Sequence, residues 1–111
     1  MSGITTHVLD TARGRPAEGV PVRLERAAEE GWVEVAEGET DADGRVSDLH
    51  PRPPEVAPYR LTFDTGAYFS AAGVRGFYPE VSVHFVVDRP DEHYHVPLLL
   101  NPFGYSTYRG S

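Results

Sequence analysis

Hydrophobic and polar positions alternate over short stretches of this chain, and turn-forming residues separate the stretches. Ile4, Thr6 and Val8 alternate with Thr5, His7 and Leu9, and the run ends at Asp10-Thr11-Ala12-Arg13-Gly14-Arg15-Pro16. Val20, Val22 and Leu24 alternate with Pro21, Arg23 and Glu25, a period of two that marks a strand with one buried face. Trp32 to Glu39 continues past a Glu-Glu-Gly turn, with Val33 and Val35 set among acids. Asp41-Ala42-Asp43-Gly44 reads as a turn whose glycine supplies a positive φ. Four prolines make Leu49–Pro58 an irregular connection. Tyr59, Leu61 and Phe63 begin the pattern again. Thr65 to Gly73 breaks it: Thr65 is placed to cap, Ala67, Ala71 and Ala72 favour helix, and Gly73 ends it. Val81, Val83, Phe85 and Val87 form the clearest strand. His93–Leu100 and Tyr105–Arg109 are two more, joined by Asn101-Pro102-Phe103-Gly104. Seven or eight short strands and one small helix predict an all-β, two-sheet β-sandwich. No repeat or low-complexity linker divides residues 1–111, so a single domain is expected.

Composition narrows the chemistry. The 11 glycines and 10 prolines in 111 residues suit a turn-rich β chain. The absence of cysteine excludes disulfides, thiolate metal sites and a cysteine nucleophile. All ten basic residues are arginine, which excludes Schiff-base chemistry on lysine. The net charge of −7 resides between Glu25 and Asp43, where eight acids face one base, Arg26. Such a run reads as a solvated face. With no basic patch, neither nucleic acid nor an anionic membrane is an expected partner. No apolar run approaches the ~18 residues of a membrane span. Met1–His7 lacks the charged and apolar regions of a signal peptide, so the cytoplasm is the expected compartment.

The last hairpin has a geometry that can be worked out in advance. A four-residue loop at Asn101–Gly104 pairs residues whose numbers sum to about 205. His95 then lies opposite Gly110, Pro97 opposite Tyr108 and Leu99 opposite Ser106. Tyr94, Val96, Leu98 and Leu100 share one apolar face, so His93, His95, Pro97 and Leu99 look outward. The tail Tyr108-Arg109-Gly110-Ser111 thereby comes beside an imidazole. His93-x-His95 also offers two nitrogens to a metal. A third ligand would have to be His7 or His84, and histidine pairs of this spacing are common on exposed strands, so no metal is expected. His84 and His50 read as structural or surface residues. His7 shares a face with Thr5 and Leu9 and by itself reads as structural or catalytic. Arg45, directly after the turn, starts a strand and either clamps a planar anion or pairs with nearby acids.

Taken together, three segments carry a resemblance that none carries alone. Ile4-Thr5-Thr6-His7-Val8-Leu9-Asp10, Thr40-Asp41-Ala42-Asp43-Gly44-Arg45 and His93-Tyr94-His95-Val96-Pro97-Leu98-Leu99-Leu100 resemble the 5-hydroxyisourate hydrolases, the transthyretin-like enzymes of urate breakdown. The closing Tyr108-Arg109-Gly110-Ser111 is the most specific mark of the enzyme branch, and Phe77-Tyr78-Pro79-Glu80-Val81 resembles the segment after the family's helix. The resemblance covers essentially the whole chain. It implies a transthyretin-like (prealbumin-like) sandwich of eight strands and one short helix, assembled as a homotetramer with active sites between dimers. It implies hydrolysis of 5-hydroxyisourate to 2-oxo-4-hydroxy-4-carboxy-5-ureidoimidazoline, with no cofactor. By matching motif, His7, Arg45, His95 and Ser111 are the implied catalytic residues. Arg45, Tyr108, Arg109, Gly110 and Ser111 are the implied substrate-binding residues. His93 is not carried over.

On that reading His7 and His95 activate water and relay its proton, while Arg45 and Arg109 hold substrate oxygens and Ser111 orients water or substrate. Which histidine is the base stays open. Ser111 is not expected to be a covalent nucleophile, because no nucleophile elbow surrounds it. The rival is a transthyretin-like carrier of a small hydrophobic ligand, whose channel would be lined by aliphatic groups instead. A further alternative is a non-catalytic β-sandwich module.

Overall fold

A computed structural model describes residues 3–110. Its strands are β1 (Gly3–Asp10), β2 (Arg15–Pro16), β3 (Pro21–Ala28), β4 (Gly31–Glu39), β5 (Ala57–Phe63), β6 (Val81–Val87), β7 (His93–Asn101) and β8 (Gly104–Thr107), with helix α1 (Thr65–Ala71) between β5 and β6. They form two four-stranded sheets, ordered β2-β1-β7-β8 and β4-β3-β5-β6. The expected two-sheet sandwich is the fold.

The alternating residues fill the space between the sheets. Ile4 and Val8 of β1, Leu24 of β3, Tyr59, Leu61 and Phe63 of β5, Val87 of β6 and Leu98 of β7 are fully enclosed. Burying such side chains contributes roughly 1.5–3 kcal/mol each before the entropy of ordering them is counted. Two inward positions of β1 are polar, and both are satisfied. Thr6 donates its hydroxyl to the Val96 carbonyl at 2.7 Å. Asp10 accepts the Tyr68 hydroxyl at 2.6 Å and the amides of Ala12 and Arg13 at 3.1 and 3.0 Å. Burial first, and then this bond to Asp10, pushes the Tyr68 hydroxyl up to about 12.

One pairing joins the two ends of the chain. β1 runs parallel to β7, with Gly3 beside His93, Thr5 beside His95 and His7 beside Pro97. Parallel neighbours need a crossover, and here the whole second sheet with α1 lies between them in sequence.

The hairpin register is the expected one: Leu98 pairs with Thr107, Leu99 with Ser106, and Gly110 bridges His95. Pro97 and Tyr108 do not pair, because β8 stops at Thr107 and not at Arg109. Three local expectations are also corrected. Asp64, not Thr65, caps α1 by accepting the Ala67 amide at 3.0 Å. Thr65 is buried instead and donates to the Tyr78 carbonyl. Arg45 starts no strand: it makes one bridge to His7 before the chain turns again. Seven of the eight clustered acids are solvent-exposed as expected. Glu25 is the exception, because Arg60 of β5 bonds it at 2.7 Å and holds its carboxyl below the ordinary value.

Candidate active site

The outward face of the β1–β7 pair gathers the residues that the sequence scattered. Along β1, Thr5 and His7 point away from the core, and along β7, His93 and His95 do the same; all four are half-buried. Parallel pairing puts the strand positions side by side, so the imidazoles of His93 and His95 lie on either side of one hydroxyl. Thr5 Oγ1 stands 2.8 Å from His93 Nε2 and 2.8 Å from His95 Nδ1. That leaves His95 Nε2 free of any hydrogen bond to a described residue.

Arg45 reaches this face by a turn built for the purpose. The Asp41 carboxylate accepts the amides of Asp43 and Arg45 at 2.9 and 3.1 Å, and the Asp41 amide donates to the Arg45 carbonyl at 2.8 Å. Between them Gly44 adopts φ +77° and accepts the Val8 amide at 2.8 Å through its carbonyl. A side chain at Gly44 would strike the Val8 carbonyl and come 3.2 Å from His7 Cδ2. The turn therefore clips to β1 and sets Arg45 opposite His7. Among the described residues Arg45 makes no ion pair, so its charge stays available to a ligand. Of the two readings of Arg45, pairing with nearby acids is not the one realised.

Burial is the main reason the His95 imidazole titrates below its ordinary 6.5, and the charges of Arg45, His93 and His7 act in the same direction. Both effects favour the neutral imidazole.

The tail arrives differently from the expectation in one respect. Gly110 does sit against His95, donating its amide to the His95 carbonyl at 2.8 Å. Thr107 ties the approach by donating to the Pro97 carbonyl at 2.7 Å. The Arg109 guanidinium, however, bonds Glu92 at 3.0 Å and the His93 carbonyl at 3.2 Å, and it stacks 4.3 Å above the Tyr94 ring. It does not join the imidazoles. Tyr108 is exposed and lines a 260 Å³ cavity at the open edge between β6 and β7. Ser111 lies outside the described residues. His84 stacks edge-on against Trp32 on the other sheet, and His50 is buried with Nδ1 donating to the Arg52 carbonyl. Neither joins the cluster's hydrogen bonds, as expected. No group of three or more His, Asp or Glu among the described residues is spaced to hold a metal ion.

Thr5 was missed as a site residue. A threonine in a strand carries no signal of its own, and only the β1–β7 pairing, between residues about 90 apart, gives it two imidazoles.

The arrangement offers three imidazoles, a guanidinium with no ion pair among the described residues and a shared hydroxyl on one sheet face. Known proteins match the chain along nearly its whole length. The model of the HIUase/Transthyretin family matches residues 4–110. The 5-hydroxyisourate hydrolase of Caulobacter vibrioides is 48% identical, with 100% of both chains covered. That of Mus musculus is 46% identical over 99% of this chain and 96% of its own. Among solved structures, the Klebsiella pneumoniae 5-hydroxyisourate hydrolase superposes with a TM-score of 0.86 at 40% identity, covering 99% of this chain and 100% of that one. Transthyretin from Sparus aurata gives 0.90 at 32% identity, covering 96% and 95%. The chain belongs to the HIUase/Transthyretin family.

Proposed function

We propose that this protein hydrolyses 5-hydroxyisourate, and the observation that carries the reading is the polar face itself. Three imidazoles and a guanidinium with no ion pair among the described residues suit an anionic, oxygen-rich ring; a carrier of an apolar ligand would be lined by aliphatic groups. Water is a poor nucleophile. A neutral imidazole takes its proton as it attacks a ring carbonyl, and His7 and His95 are the pair for that task. Negative charge then develops on the carbonyl oxygen. Arg45, held opposite His7 by its turn, stabilises that charge without having to reorganise.

In this reading Gly110 brings the tail to the substrate, and Tyr108, Arg109 and Ser111 supply its binding groups. Arg109 would exchange its Glu92 partner for substrate. The sites form between copies in a homotetramer, which is supported by exposed apolar residues at the sheet edges, Val86 of β6 and Tyr105 of β8.

The test is the ultraviolet absorbance decay of freshly generated 5-hydroxyisourate with and without the protein. Acceleration at catalytic concentrations is expected. If a folded tetramer gives none and thermal shifts appear with apolar compounds, the reading falls to the carrier.

A further inference from the structure

The histidines of β7 are joined through a residue of β1. Thr5 Oγ1 lies 2.8 Å from a ring nitrogen of each, and the rings stand 6.2 Å apart with their planes 30° from parallel. A hydroxyl has one proton and two lone pairs, and a neutral imidazole has one N–H and one acceptor nitrogen. Two arrangements use the hydroxyl proton within the cluster. In one, Thr5 donates to His95 Nδ1 and accepts from His93 Nε2–H, so both rings are protonated on Nε2. In the other, Thr5 donates to His93 Nε2 and accepts from His95 Nδ1–H, so both are protonated on Nδ1. Unlike tautomers either set two N–H groups against the oxygen, leaving its proton without an acceptor among the described residues, or set two lone pairs against it and lose a bond.

We propose that Thr5 locks His93 and His95 into matching tautomers, making them one proton-shuttling unit in which His93 stores the proton that His95 removes from water. The chemical steps rest on the hydrolytic reading above; the matching of tautomers does not.

The sequence balances. In the Nδ1–H state, His95 Nε2 carries a lone pair and takes a proton from water. Its Nδ1–H proton passes to Thr5 Oγ1, and the hydroxyl's own proton passes to His93 Nε2. His93 is now an imidazolium and His95 is neutral. The electron pair left on hydroxide bonds the ring carbonyl carbon, and the carbonyl π pair moves to its oxygen. When the intermediate collapses, the carbon–nitrogen bond breaks and the nitrogen keeps its electrons and takes the proton on His95 Nε2. Thr5 returns a proton to His95 Nδ1, and His93 returns one to Thr5.

Register sets His93 further from Arg45 than His95 is. Burial first, and then the charges of Arg45, His93 and His7, oppose a charge on His95. By register His93 lies two residues before His95 on β7, beside Gly3, away from the level of Arg45. It borders a 190 Å³ cavity also lined by Asp48 and His50. Of His93, Arg109 bonds only the carbonyl, and its charge is paired with Glu92.

Thr5 and His93 are therefore positioning residues that act through His95, and nitrogen NMR of the resting ¹⁵N-labelled protein tests the coupling directly. Matching Nδ1–H tautomers at His93 and His95 are expected; unlike tautomers overturn the proposal, and matching Nε2–H tautomers overturn the relay, whether or not 5-hydroxyisourate is turned over. Thr5→Val should uncouple the tautomers and lower kcat about 100-fold, the scale of a lost proton transfer, with KM little changed. Thr5→Ser should restore both. Normal kcat in Thr5→Val, or a Thr5→Ser variant as impaired as Thr5→Val, overturns the relay. Should Thr5→Val fail to fold, His93→Phe keeps a ring but no acceptor and must lower kcat similarly; an unchanged kcat there has the same consequence.

Discussion

Gly110 lies against the edge of the His95 ring, where a Cβ would stand 2.5 Å from Cδ2, and its amide holds the His95 carbonyl at 2.8 Å. A backbone this close leaves no room for a side chain, and the imidazole is fixed from both sides: Thr5 on Nδ1 and Gly110 on the opposite edge.

Gly110→Ala should therefore act on the ring and not on the fold. Crowding typically costs ~1–3 kcal/mol in a packed core, and less at a strand end that can shift. Turnover should fall at least severalfold while thermal unfolding barely moves. Stopped-flow rates beside a melting curve check this, and full activity would mean that the ring tolerates displacement.

Replacing the imidazole itself removes the base. His95→Asn should fold normally, since the position is only half-buried, and should lose about 10²- to 10⁴-fold in rate. The measurement is kcat on fresh substrate alongside a circular dichroism spectrum. Near-normal turnover from a folded variant would remove His95 from the mechanism.

The depressed titration of His95 sets a pH dependence with a definite sign. Its charged form is disfavoured by burial first and by Arg45, His93 and His7 after it, relative to an ordinary value of 6.5. The acid limb of kcat should therefore fall with a midpoint below 6.5. Stability moves the same way: the unfolded chain binds the proton more readily, so this contribution is full above 6.5 and is lost as pH falls through the folded value. Urea unfolding should show wild type losing more stability than His95→Asn across that window. Identical slopes would contradict the shift.

Gly44→Ala should be costlier to the fold than Gly110→Ala. Its φ of +77° is strained for any L side chain, and a Cβ would strike the Val8 carbonyl. A loss of about 1–3 kcal/mol is expected, with a rise in KM because the turn that aims Arg45 is displaced. Chemical denaturation and steady-state kinetics on one variant read both effects.

Chelation should leave the rate unchanged, given that the described residues hold no three-ligand cluster. An activity lost to chelator and restored by a divalent ion would point back to the His93/His95 pair as ligands.

Much of this protein was legible in its sequence because the information is local. Period-two alternation assigns an inward and an outward side to every strand, so Ile4, Leu61 and Leu98 are enclosed as the pattern requires. The four-residue loop after β7 determines the hairpin register, and with it the bridge between His95 and Gly110. The Asp-Ala-Asp-Gly turn and the histidine-bearing strands were equally visible. What the chain could not show was which distant elements meet. No local signal says that β1 runs parallel to β7, that a turn clips to the far edge of β1, or that Thr5 bonds two imidazoles. Nor could a register predict that Arg109 would turn aside to Glu92 and the Tyr94 ring. Those contacts depend on packing between residues far apart in the chain, where many pairings satisfy the same alternation and only the complete sandwich selects one.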